Sequence, residues 1–203
     1  MTFGLVKHNN NSISAITSAG QLAQGKMTLL QTQTASSSSS IDFTSNIDST
    51  YPIYVFKFIN IHPATNDTGF MVGFRDGSTA YDASKTTTAF RSFHDEANSS
   101  TNLTYYGSVD QANATGFQYL TGGTGNGNDE CLSGILHLFE PSSTTFVKHF
   151  IARTQEYNAG DASQEYYMAG YCNTTTAIDG VQFKFSSGNI DSGTIKLYGI
   201  KGS

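Results

Sequence analysis

An antiparallel all-β fold is predicted from three features of the chain. Short segments alternate apolar and polar residues, and clusters of Gly, Pro, Asn, Asp and Ser punctuate them at intervals near ten residues. No window of useful length carries a helical period. These features indicate an antiparallel sandwich or barrel, and the expected form is a single jelly-roll-like β-sandwich preceded by an extended N-terminal arm.

The arm is assigned to residues 1–26. Leu5, Val6, Ile13 and Ile16 are scattered there among Asn, Ser and Gly, with neither strand nor helix periodicity. Such a segment is expected to be ordered mainly by what it touches, and the four apolar residues are its candidate anchoring groups. The sandwich domain is assigned to residues 27–203.

Met27–Thr34, MTLLQTQT, opens the β pattern, and the serine-rich run Ala35–Ser40 reads as a link to a short strand at Ile41–Thr44. TYPIYVFKFINIHP follows. It sets Tyr54, Phe56 and Phe58 on one side and Val55, Ile59 and Ile61 on the other, with Lys57 interrupting the second set. Apolar residues on nearly both faces predict a central strand covered on both sides, and Pro52 and Pro63 bracket it as strand-end prolines should. Further strands are expected at Phe70–Phe74, around Phe90–Phe93, at Leu103–Tyr106 and at Phe117–Leu120, with a turn at Asp76-Gly77. Cys131–Glu140 and Thr145–Arg153 read as a long pair joined by a tight turn at Pro141-Ser142-Ser143, and Tyr166–Tyr171 as another strand. The chain then closes on an expected hairpin. Val181, Phe183 and Phe185 alternate with Gln182 and Lys184, and Ile195 and Leu197 resume the pattern after SSGNIDSG.

Composition narrows the function. A chain of 203 residues can bury roughly 70% of its unfolded surface in one core. Only 13% of residues are charged, so hydroxyls and amides must cover the surface, while 12% aromatics argue against disorder. The net charge is −5 with no Lys/Arg cluster, which excludes an electrostatic footprint for nucleic acid. No apolar run reaches the length of a membrane span, and no long apolar stretch marks the start as a secretory signal, so synthesis in a cytoplasm is expected.

Candidate chemistry is sparse. The loop TGGTGNGND (Thr121–Asp129) lacks the Gly-Lys-Ser/Thr ending of a P-loop and precedes a strand. His137 and His149 fall on neighbouring expected strands near Cys131, a pattern commoner for hydrogen-bonded sheet residues than for a metal site. Cys131 and Cys172 have no His partners at zinc spacing and read as free thiols. His94-Asp95-Glu96 places an acid beside a base, without a nucleophile at a diagnostic spacing. Asp76, Asp82, Asp129 and Asp161 lie in glycine-bearing loops but form no EF-hand ladder. Doubled tyrosines, Tyr105-Tyr106 and Tyr166-Tyr167, are expected to put one ring inside and one outside. No catalytic, cofactor or metal residues are assigned.

Three phrases stand together: IDSTYPIYVFKFINIHP ending at Pro63, LSGILHLFEPSSTTFVKHF over 132–150, and AGYCNTTTAIDGVQFKFSSGNIDSGTIKLYGIK over 169–201. In these the chain resembles a family of virion structural proteins of tailed bacteriophages, particularly marine ones, and TIKLYGIK is the most specific element. The opening LVKHNNNSISAITSAGQLAQG is similar to the variable leaders of phage tail and head-surface proteins. The resemblance implies no catalytic residues. It implies a capsid decoration or cement protein on the virion surface, bound to the major capsid protein lattice and forming a homo-oligomer, with a trimer favoured. A tail-fibre or receptor-binding tip contacting host-surface glycans is the alternative. The chain has no shaft, heptads or glycine repeat, which favours the head.

Overall fold

The computed structural model describes residues 27–201. The expected arm and its anchoring residues Leu5, Val6, Ile13 and Ile16 lie outside the described residues.

Twelve strands form two antiparallel sheets. They are β1 (Met27–Ser38), β2 (Ile41–Phe43), β3 (Ile53–Pro63), β4 (Phe70–Arg75), β5 (Lys85–Asp95), β6 (Thr101–Tyr105), β7 (Gln118–Tyr119), β8 (Leu132–Phe139), β9 (Lys148–Asn158), β10 (Ala162–Cys172), β11 (Gly180–Phe185) and β12 (Ile190–Ile200). The larger sheet has eight strands in the order β1-β12-β3-β8-β9-β10-β5-β6, and the smaller has four in the order β2-β11-β4-β7. The fold class matches the expected sandwich. Only the β5–β6, β8–β9 and β9–β10 connections stay within one sheet. Every other connection crosses to the opposite layer, which is what makes the sandwich jelly-roll-like.

The core between the sheets is aromatic. Phe183 of β11 lies at its centre, with ring centroids 6.2 Å from Phe43, 5.2 Å from Phe56, 5.1 Å from Phe58 and 5.8 Å from Phe70. The contacts with Phe43, Phe56 and Phe58 are edge-to-face, an arrangement the ring quadrupole favours. Ile195 and Leu197 of β12 pair with Phe58 and Phe56 across the larger sheet and are fully buried beside them.

The last two strands correct the expected hairpin. β11 pairs with β2 and β4 in the smaller sheet, while β12 pairs with β1 and β3 in the larger one. The turn after Phe185 is therefore a corner between layers. Both strands point their apolar residues inward as expected, because each faces the same core from opposite sides.

β3 is corrected as well. Tyr54, Phe56 and Phe58 face the core, and on the opposite side Val55 is fully buried as expected, but Lys57 is half-buried and Ile59 is 41% exposed. Ile61 does not share a face with Ile59. Asn60 has φ of +48° and the β3–β8 register slips between Phe58 and Ile61, so this bulge turns Ile61 into the core.

Smaller corrections concern element ends. The serine run continues β1 to Ser38 in place of ending it, and Ala35 within it is buried against the core. β9 starts at Lys148, and the connection before it is a longer loop in which Ser143 N–H donates to Glu140 O at 3.0 Å.

Candidate interaction surface

The outer face of the eight-stranded sheet is built by strand alternation alone. Each strand turns alternate residues to the core, so the others line up in rows across the sheet. One row, read through the pairing registers, is Tyr198, Val55, His137, Ile151, Ala169 and Thr88. Leu29 of the edge strand β1 extends it. The next row is Lys196, Lys57, Ile135, Arg153, Tyr167 and Phe90, extended by Tyr105 of β6. On the other side of the first row lie Ile53 and Phe139.

This surface is apolar for one that no other element among the described residues covers. Ile151 is 52% exposed, Leu29 52%, Phe90 45% and Leu103, on β6, 72%. Single exposed apolar residues are ordinary, but a contiguous band across most strands of a sheet marks a contact surface. The smaller sheet's outer face contrasts with it. There Lys184 lies over the Phe117 ring at 4.1 Å, Gln182 donates to Asp42 at 2.6 Å, and Arg75 pairs with Asp179 at 2.8 Å.

Aromatic order stiffens the apolar band. Phe90 and Tyr167 stack with centroids 4.7 Å apart, and the Arg153 guanidinium sits 5.2 Å from the Tyr167 centroid while pairing with Glu165. Arg153 holds the Glu165 carboxyl below its ordinary range. Lys57 lies 5.3 Å from the Tyr198 ring centroid, and neither Lys57 nor Lys196 has a carboxylate partner among the described residues. Between the ridges lies a depression of about 420 Å³ floored by Thr86, Thr88, Ala169 and Gly170. Its floor is low because those side chains are small.

His137 and His149 both belong to this face and do not converge. His137 opposes Ile151 and stacks on Phe139 at 6.2 Å, whereas His149 packs against Tyr171 at 6.1 Å. Burial lowers the His137 pKa below the usual imidazole value, which favours the neutral ring.

The acid–base triplet lies in a polar cleft of about 640 Å³ at one end of the larger sheet, with Asp129, Cys131, Tyr157 and Ser163. Its groups are committed to local structure. His94 Nε2 meets Asn98 Oδ1 at 3.1 Å, and Asp95 accepts from the Ser99 hydroxyl, and from the Ser99 and Ser100 amides at 2.8 and 3.0 Å, which lowers its pKa. Glu96 holds the Tyr157 phenol, whose pKa is pushed up to about 12. Ser163 stands opposite His94 in register, yet the imidazole bonds to Asn98. Among the described residues, no group of three His, Cys, Asp or Glu side chains could hold a metal ion.

The doubled tyrosines divide as expected: Tyr166 is buried while Tyr167 faces outward, and Tyr105 is 58% exposed. Sequence reasoning missed Glu156 altogether. This fully buried carboxylate accepts from Thr124 Oγ1 at 2.6 Å, Gly123 N at 3.2 Å and the Tyr166 hydroxyl at 3.1 Å. It pins the glycine-rich loop to the sheet, and burial raises its pKa. A Glu at an inward position of an alternating strand was the available signal. Cys131 and Cys172 are free, as expected, and lie towards opposite ends of the sheet: Cys131 O accepts from Tyr157 N, while Cys172 pairs with Lys148 at the start of β9. Burial pushes the Cys172 thiol up to about 12.

The sequence matches no family model and no curated protein.

Proposed function

We propose that this chain is a non-enzymatic structural protein of a bacteriophage particle, a capsid decoration or cement protein that works as part of an assembly. The observation that carries the reading is the apolar band across the outer face of the eight-stranded sheet, formed by Ile151, Phe90, Leu29 and their neighbours. A surface of this kind loses free energy to water unless another surface covers it. The low-charge, hydroxyl-rich composition and the likeness of TIKLYGIK and its companion phrases to phage virion proteins support the same reading. In this proposal the segment carrying Leu5, Val6, Ile13 and Ile16 supplies the anchor to the head lattice.

Immunogold labelling and copy number per particle test it. Hundreds of copies distributed over the head support a decoration protein. A few to a few dozen copies at the tail would replace it with the receptor-binding alternative, and absence from the particle would reject both. Deleting residues 1–26 should leave a folded protein that no longer binds heads; full occupancy by the truncated chain would remove the anchor from the proposal.

A further inference from the structure

We propose that the outer face of the eight-stranded sheet is closed by a second copy of this chain. The two sheets stack face to face about a two-fold axis that runs along the strands between β8 and β9. This inference rests on the reading of that face as an assembly surface and names its occupant.

The size of the face fits. Strands about 4.8 Å apart and outward rows about 6.8 Å apart give eight strands and four rows a footprint of roughly 1,000 Å². A stable pair of proteins covers about 800 Å² on each partner, so one second copy would occupy most of it.

The rows are complementary to themselves under that axis. In the row Tyr198, Val55, His137, Ile151, Ala169, Thr88, the axis passes between His137 and Ile151. It sets Tyr198 of one copy over Thr88 of the other; Val55, fully buried between its neighbours, adds no surface. The bulky end of the row thus enters the depression that Thr86, Thr88, Ala169 and Gly170 leave open. In the next row it sets Lys57 against Tyr167 and Lys196 against Phe90. The faces of Tyr167 are already held by Phe90 and Arg153, so the cation–π contact falls to Lys196, which has no carboxylate partner among the described residues and comes beside the other face of Phe90. Stacked sheets about 10 Å apart and within about 30° of alignment keep these pairings in reach.

The same geometry selects the symmetry. When one patch meets an identical patch the interface is isologous, which is a two-fold relation and not a three-fold one. The inference therefore departs from the trimer implied by the phage resemblance. A glycan is a poorer occupant, because Ile151, Leu29 and Leu103 offer its hydroxyls no partners.

Light scattering on the full chain over a range of concentrations should return twice the chain mass. Ile151→Asp should halve that mass while circular dichroism and melting stay those of a folded protein. The double variant Thr88→Cys, Tyr198→Cys should form a covalent dimer with a short bismaleimide cross-linker that spans the sheet spacing of about 10 Å, and either single variant should not. A monomer or a trimer at all concentrations, or a dimer untouched by Ile151→Asp with no cross-link, overturns the inference, as does a glycan that binds this face. Head binding by the same variant separates this failure from that of the broader reading. A monomer whose Ile151→Asp variant no longer binds heads rejects only the second copy. A monomer whose variant binds heads unchanged rejects both.

Discussion

Lys85 and Lys148 stand on either side of β10, both opposite Cys172, with their side chains buried and each ammonium donating to a backbone carbonyl. Lys85 reaches Ala83 O at 2.6 Å and Lys148 reaches Thr174 O at 2.9 Å. Neither has a salt-bridge partner among the described residues. Burial disfavours the charged form of each amine and outweighs the attraction of the Asp76 carboxylate on both, so both pKa values are lowered.

A pH dependence follows for Lys85. Between its lowered folded pKa and lysine's ordinary 10.5, the unfolded chain binds the extra proton, so stability rises with pH across that window. Lys85→Met removes the titrating group and should flatten the rise. Melting temperatures of both proteins from neutral pH to about pH 10 check this; parallel curves would contradict it.

Glu156 has the opposite sign. Its raised pKa means the folded state holds the proton more tightly than the unfolded chain. Its contribution is fully present below the ordinary value of 4.5 and is lost as pH rises through the folded value. Glu156→Gln should weaken that decline. Glu156→Ala strands the Gly123 amide, at a cost of about 1–3 kcal/mol, leaves Thr124 and Tyr166 only their bonds to Thr121 and Gln164, and should speed amide exchange in the glycine-rich loop.

Phe183→Ala should be among the most damaging single changes. It empties the centre of the aromatic cluster, a loss of about 3–5 kcal/mol. At this chain length that corresponds to a melting shift on the order of 10 °C. Gln182→Ala, one residue away and facing outward, loses a hydrogen bond to Asp42 and should shift the melt by a fraction of that. Equal shifts would mean that the strand faces are reversed.

Gly193→Ala tests the paired bulges of β3 and β12. Gly193 has φ of +121°, and a Cβ there would lie 2.6 Å from Asn60 O and 2.8 Å from Ile61 Cα. Both the left-handed conformation and the close backbone oppose a side chain, so a loss of about 1–3 kcal/mol is expected in denaturant unfolding. An unchanged midpoint would show that the bulge relaxes freely.

Much of this architecture was legible because alternation is a local property. Phe56 and Phe58, Phe183 and Phe185, and Ile195 and Leu197 each announce an inward face through their two-residue spacing, whichever strand lies beside them. The candidate surface was less legible. Ile151, Tyr167 and Phe90 look like ordinary outward residues in their own strands, and only the registers of β9, β10 and β5 put them side by side. The polar cleft was half visible: His94-Asp95-Glu96 is continuous in sequence, but Asp129, Cys131 and Tyr157 reach it from other loops and strands.

The sequence by itself determined that the chain is all-β, where most strands fall and which side chains each strand buries, because a pleated strand has only two faces and burial chooses between them. Tertiary structure decided which strand neighbours which. The alternation in Val181–Phe185 is the same whether its partner is Ile195–Leu197 or Phe70–Phe74, and the corner after Phe185 sends the two segments to opposite layers. It also decided that Ile61 turns inward at the Asn60 bulge, and that the outward residues of eight strands merge into one apolar surface. Hydrogen-bond pairing between distant segments carries no local signature, so those decisions belong to the folded chain.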